Sequence, residues 1–381
     1  MNTFFRFVSK LVFRLLYTCF CLLPIRQNQI LFASDSRNDL SGNFFYIYKE
    51  IQRQRLPLIC KFLLKEKQKK TAYDYIQLAY FLATSKKIIV DDYYPFVYPL
   101  TVRKQADLIQ VWHAVGAFKR FGHSRKGKPG APLANSKTHR NYTKAIVSSN
   151  NVRSYYAEGF GISVDKVKST GVPRTDVFFD HAYKANKREE LYGRYPYLRN
   201  KRVVIFAPTF RGKGKTTAYY PFDSINFEHM YEELKHDSVV LFKWHPFVKN
   251  KLSIPDKYKE VFYDFSHYRE VNDLLFVADV LVTDYSSVCF EFALLEKPMI
   301  FFAFDVDEYT KDRDFYYAYQ DFIPGELVKT TSELVKNIKD PTLNKEKLLL
   351  FIEYFFDKTD GRSSERFVNE LLKDAGKPSL G

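Results

Sequence analysis

Short apolar runs that each stop at a polar residue recur along this chain, separated by stretches of helical periodicity, and this alternation is its tightest constraint. QILFA at Gln29 to Ala33, the run at Leu58 to Leu64, Lys87 to Val90, Asp107 to Trp112 and Ala145 to Ser148 read as buried strands. Helical periodicity from Phe45 to Arg55, Tyr73 to Thr84 and Val152 to Glu158 falls between them. A strand buried on both faces is apolar throughout rather than alternating, and strands separated by helices pair in parallel. The pattern restarts at Arg202 with VVIFAPT and continues with VVLFKWH, VLVTD and MIFF. Two doubly wound α/β domains are therefore predicted, which suits 381 residues. Residues 180–202, polar and basic, read as the linker, giving domains at 26–185 and 186–381.

Ligands of open α/β sheets bind beyond the carboxyl ends of the strands, so the active site is expected in the cleft between the domains. Strand Val239 to Phe242 runs into Lys243, Trp244 and His245. A cation beside an imidazole suits a pyrophosphate, although a strand-end His is equally often a satisfied polar residue. Strand Val280 to Thr283 runs into Asp284, Tyr285, Ser286 and Ser287 and then an apolar helix containing Glu291. Serine hydroxyls there can cap the helix, whose first N–H groups suit a phosphate. Glu291 on an apolar face needs a partner such as ribose hydroxyls. Thr209 and Arg211 open a basic glycine-containing loop without P-loop spacing. In the first domain His113 follows Trp112 and precedes Gly116; it can take a proton from a hydroxyl, oriented by Asp91 or Asp92.

Lys and Arg outnumber Asp and Glu by 59 to 44, which points to an anionic partner. Basic and aromatic residues are not interleaved on one strand or helix face, so no nucleic acid is expected among the partners, although a nucleic-acid-binding protein is the competing class. Four cysteines without metal spacing, and no carboxylate cluster, predict no metal and no cofactor.

At the N-terminus Arg6, Lys10 and Arg14 recur every fourth residue among Phe, Val and Leu. Charges this frequent argue against a membrane span, and they predict an in-plane amphipathic helix over residues 1–25 on an anionic membrane surface. Packing of this helix on the protein itself is the alternative.

The segments VWHAVGAFKRFG, GVPRTD, APTFRG, FKWHP, ADVLVTDYSSVCFEFALLEKPMIFF and DGRSSERFV, in this order, resemble the CDP-glycerol glycerophosphotransferase family of wall teichoic acid synthesis. The resemblance implies a GT-B-like architecture of two Rossmann-like domains facing a cleft. It implies His113 and His245 as catalytic residues. Arg174, Thr209, Arg211, Lys243, Ser286, Ser287 and Arg313 fall where the family binds donor phosphates or nucleotide. It further implies CDP-glycerol as donor and an undecaprenyl-diphosphate-linked disaccharide as acceptor, at the cytoplasmic face of the membrane. WHAVGAFK and the chain length look most like the primase, which adds one glycerol phosphate; a polymerase, a ribitol-phosphate enzyme or an ordinary glycosyltransferase on the same fold are the alternatives.

Overall fold

The computed structural model describes residues 3–373 apart from 129, 213 and 251, and only the backbone at residues 3–7, 68, 215 and 312. Contacts divide the chain into two units, one running to Asp176 and resuming at Phe355, the other from Val177 to Tyr354.

The first unit begins with helix α1 (Thr3–Phe20) and strand β1 (Arg26–Ser34), then α2 (Gly42–Arg53), β2 (Ile59–Leu64), α3 (Ala72–Thr84), β3 (Ser85–Val90), β4 (Asp107–Gln110), β5 (Lys144–Ile146), α4 (Arg153–Phe160) and β6 (Val167–Lys168). Its six strands are parallel, in the order β2-β1-β3-β4-β5-β6. Ile30, Phe32, Ile89 and Ile109 from the strands meet Phe44, Ile47 and Ile51 of α2 in one core.

The second unit carries β7 (Arg202–Phe206), β8 (Ser238–Phe242), β9 (Phe262–Asp264), β10 (Val280–Thr283), β11 (Met299–Phe302) and β12 (Glu326–Val328). Its order, β12-β11-β10-β7-β8-β9, is also parallel throughout. This is the doubly wound order whose topological switch point lies between the first strand, β7, and the fourth, β10. In the first unit the switch lies between β1 and β3.

Three differences from the sequence-based expectation have physical causes. Residues 180–202 are no simple linker: Asp180 caps a helix, His181–Arg194, by accepting the Tyr183 N–H at 2.9 Å, and the helix belongs to the second unit. The chain end does not stay with the second unit as 186–381 implied. Helix Ser363–Leu372 lays Phe367, Val368 and Leu371 on the first unit's core, and the Asp176 carboxylate accepts the N–H groups of Ser363 and Ser364 at 2.8 and 2.7 Å. Strands β6, β9 and β12, of two or three residues, carry too little pattern to be read.

Helix α1 combines two surfaces. Phe13 and Tyr17 are buried, with Phe13 edge-on to Tyr75 of α3 at 6.4 Å and the Tyr17 hydroxyl donating to the Thr101 carbonyl at 3.0 Å. Val8, Leu11, Val12 and Leu15 remain 37–59% exposed beside exposed Lys10 and Arg14. The Arg6 side chain lies outside the described residues. No described helix is long and apolar enough to cross a membrane.

Candidate active-site residues

His113 owes its exposure to a backbone reversal. Strand β4 ends at Gln110, and Trp112 takes the left-handed region at φ 51, which costs a non-glycine residue roughly 1–2 kcal/mol. Two buried amides hold that conformation. The Gln110 side-chain oxygen accepts the Trp112 N–H at 2.8 Å, while its nitrogen donates to the Asp92 carbonyl and the Tyr142 hydroxyl. The Asn43 amide, in the first turn of α2, donates to the carbonyls of Val111 and Trp112, both at 3.0 Å, and accepts the Arg174 N–H at 3.0 Å. The indole stacks on Phe121 at 5.1 Å. Neither Asn43 nor Gln110 stands out in the sequence except as a polar residue in an apolar stretch.

Asp92, not Asp91, meets His113. Its Oδ1 lies 3.2 Å from the imidazole Nδ1. Asp91, buried at 1% exposure, instead pairs with Arg37 at 2.5 Å. Both carboxylates lie just past β3, which ends at Val90, and the chain there turns one to Arg37 and the other to the imidazole. Burial alone would raise the Asp92 carboxyl, yet the hydrogen bond and charge of His113 hold it below its ordinary value. For Asp91 burial outweighs Arg37 and the carboxyl is raised.

Gly116, expected at the substrate, takes φ 64, donates its N–H to Ser148 Oγ at 3.3 Å and accepts the Tyr156 hydroxyl at 2.8 Å, which makes it a turn residue. Arg174, expected on the donor side, belongs to the first unit.

In the second unit Lys243 and His245 follow β8. The Lys243 ammonium donates to the Ser266 carbonyl at 3.1 Å; burial lowers its pKa, opposed by Asp264 and Glu270. His245 Nδ1 accepts the Phe247 N–H at 3.1 Å. The two histidines therefore carry opposite tautomers. A carboxylate on Nδ1 of His113 places the proton there and leaves Nε2 with a lone pair, whereas a backbone donor on Nδ1 of His245 leaves the proton on Nε2. In these tautomers His113 Nε2 can accept a hydrogen bond and His245 Nε2–H can donate one.

Arg211 and Asp284, expected at the ligand, bind each other. Arg211 is 7% exposed; it donates to Asp284 at 2.9 Å, to both oxygens of Asp305 at 2.5 and 2.9 Å, and to the Thr209 carbonyl. Burial would lower the guanidinium pKa, but Asp284 and Asp305 raise it. Asp284, fully buried, also accepts the N–H groups of Thr209 and Tyr285. The Tyr285 hydroxyl donates to Asp305 at 2.9 Å and its ring stacks on Tyr309 at 3.8 Å. This lattice joins the loops after β7, β10 and β11 at the switch point. Asp305, in the loop after β11, is a partner that the sequence did not single out, although its position after MIFFAF was a usable signal.

Ser286 Oγ accepts the Val288 N–H at 3.4 Å, and Ser287 makes no side-chain cap, so the expected capping is weak. Glu291 is buried at 1% exposure within helix Val288–Ala293. Arg313 donates to the Gly212 carbonyl at 2.8 Å, bracing the loop after β7. Among the described residues no group of three His, Cys, Asp or Glu side chains could hold a metal ion.

Residues 15–373 match the family model described as CDP-Glycerol:Poly(glycerophosphate) glycerophosphotransferase. The chain belongs to this family. It is 54% identical to a teichoic acid poly(ribitol-phosphate) polymerase of Bacillus spizizenii over 97% of this chain and 60% of that protein, so it spans about three fifths of that relative's length. It is 32% identical to a teichoic acid glycerol-phosphate primase of Bacillus subtilis, over 83% of this chain and 80% of the primase. The fold matches that of the wall teichoic acid polymerase TagF with a TM-score of 0.79 at 23% identity, covering 99% of this chain and 98% of the other. The family and the GT-B-like pair of parallel sheets thus agree with the sequence-based expectation, while the higher identity lies with a ribitol-phosphate polymerase rather than a primase.

Proposed function

We propose that this protein transfers ribitol phosphate from CDP-ribitol to a lipid-linked teichoic acid acceptor, releasing CMP. The opposite tautomers of His113 and His245 carry the chemistry of this reading; the 54% identity to a poly(ribitol-phosphate) polymerase supports ribitol and repeated addition. An acceptor hydroxyl oxygen attacks the ribitol-bearing phosphorus, its proton passes to His113 Nε2, and the bond from that phosphorus to the oxygen of CMP breaks. His245 Nε2–H and the Lys243 ammonium hydrogen-bond the phosphate oxygens as charge moves to the leaving group. Arg211 acts at one remove, by fixing the loops that carry Thr209 and Ser286.

The single-addition reading, with CDP-glycerol as donor and the undecaprenyl-diphosphate-linked disaccharide as acceptor, rests on the 32% identity to a primase. The exposed Val8, Leu11, Val12 and Leu15 of α1, beside Lys10 and Arg14, support peripheral attachment to an anionic membrane surface at its cytoplasmic face, where such an acceptor would be met.

Mass analysis of products from CDP-ribitol and from CDP-glycerol, each with a synthetic lipid-linked acceptor, tests this. A ribitol-phosphate ladder with stoichiometric CMP is expected, as is its loss in His113→Ala and in His245→Ala. One added glycerol phosphate would support the primase reading. Nucleotide release from a UDP-sugar alone would move the protein to the glycosyltransferases.

A further inference from the structure

From His113 through Lys144 the sequence holds eight Lys and Arg and no Asp or Glu. This segment joins β4 to β5, and its two limbs are held in place. A Cβ at Gly122, which takes φ 53, would fall 2.1 Å from the Gly159 carbonyl oxygen, so the loop lies directly on α4. His123 bonds the Thr138 carbonyl at 2.9 Å, tying the outgoing limb to the returning one, and the Asn141 amide donates to the Val97 and Leu100 carbonyls.

The aromatic anchors of the loop sit on the residue that precedes His113. Phe121 stacks on Trp112 at 5.1 Å and His139 is edge-on to it at 5.9 Å. Burial pushes the His139 imidazole down to about 3, so it is neutral and adds no charge. The cations flank these anchors. Arg120 precedes Phe121 and lies 3.5 Å from Glu158, and Arg140 follows His139. Among the described residues Arg125, Lys126, Lys137 and Arg140 have no carboxylate partner, and Lys126, Lys137 and Arg140 are exposed. Like charges gathered on one loop repel one another, and a bound anion relieves that cost.

We infer that this loop is a track for a linear phosphodiester chain, the already polymerised alditol phosphate of the acceptor, leading its terminal hydroxyl to His113. Cations spread along the loop at positions 125, 126, 137 and 140 suit a ligand with one negative charge per repeat, where a single diphosphate would need one compact cluster. The inference rests on the proposed function and extends it to the acceptor. It makes affinity depend on acceptor length and on salt, because each neutralised phosphate releases a counterion.

Fluorescence anisotropy with a fluorescein-labelled ribitol-phosphate octamer and dimer, titrated in rising NaCl, tests it on the full chain. The octamer is expected to bind on the order of tenfold tighter than the dimer at low salt. In the variant Arg125→Gln, Lys126→Gln, Lys137→Gln, Arg140→Gln that ratio falls towards one, and the log–log salt slope shrinks by about 3, taking ~0.7 per contact. The charge-preserving variant Arg125→Lys, Lys126→Arg, Lys137→Arg, Arg140→Lys retains the wild-type ratio, which separates charge from folding. An unchanged octamer-to-dimer ratio in the Gln variant overturns the track. So does a loss confined to phosphatidylglycerol vesicles, which would make the loop a membrane contact. CMP release from CDP-ribitol with a single-unit acceptor is followed separately; its absence in the wild type removes the proposed function while the octamer titration still scores the loop.

Discussion

Asp92 Oδ1 lies 3.2 Å from His113 Nδ1, while the adjacent Asp91 is turned to Arg37. Two neighbouring carboxylates thus have separate tasks: one selects the imidazole tautomer and the other neutralises a guanidinium.

Asp92→Asn can present an amide N–H to Nδ1, which favours the proton on Nε2 and removes the base. It should lower kcat by about 10²-fold or more with the donor KM little changed. Asp91→Asn should instead cost stability, about 3 kcal/mol, by leaving Arg37 without its carboxylate. Steady-state kinetics beside thermal melting separates the two, and equal kinetic loss in both variants would contradict the assignment.

Arg211→Lys removes the fork that holds Asp284 and Asp305 together. The expected result is a destabilisation of roughly 3–5 kcal/mol, visible as faster proteolysis of the second unit. Were Arg211 a direct phosphate ligand, the variant would remain stable and only its donor KM would rise.

Asn43→Ala leaves the Val111 and Trp112 carbonyls and the Arg174 N–H without their side-chain partner. Each buried unsatisfied group costs about 1–3 kcal/mol, so a lower melting temperature should accompany a fall in kcat. Asn43→Asp, which keeps the acceptor but sets a buried carboxylate against two carbonyl oxygens, should cost at least as much as the alanine.

Asp74 completes a capping box with Thr71 at the start of α3, and the hydrogen bond from Lys65, with those from Thr71, lowers its pKa to about 2. A depressed carboxyl stabilises the fold above its ordinary value of 3.8, and the contribution is lost as pH falls towards about 2. Asp74→Ala should therefore lose about 1 kcal/mol at neutral pH, with the difference from wild type closing over that acid range. Urea titrations across the range check the sign; a gap that widens in acid would refute it.

Leu11→Ser with Leu15→Ser removes two exposed side chains from α1 without touching Phe13 or Tyr17. Cosedimentation with anionic vesicles should weaken by about two orders of magnitude, taking ~1.5 kcal/mol per leucine. Unaltered partitioning would assign α1 to packing alone.

What could be read from the residues in order was whatever depends on neighbours in the chain. Apolar runs of four to six residues with polar stops marked β1, β3, β7, β8 and β10, and the same stops brought His113, His245 and Asp284 to strand ends. The short strands β6 and β9 are made by the sheet beside them and left no periodic trace, although β5, equally short, was legible from its apolar run.

The sequence by itself determined the α/β class, the family and the residue types at the strand ends, because burial of a parallel strand leaves a local pattern. The tertiary structure decided the partners: Asp92 rather than Asp91 for His113, Asp284 and Asp305 for Arg211, and Asn43 bridging Trp112 to Arg174. Those pairings join positions tens of residues apart. They follow from strand order, register and the turn at Trp112, and a side chain's charge alone does not carry that information.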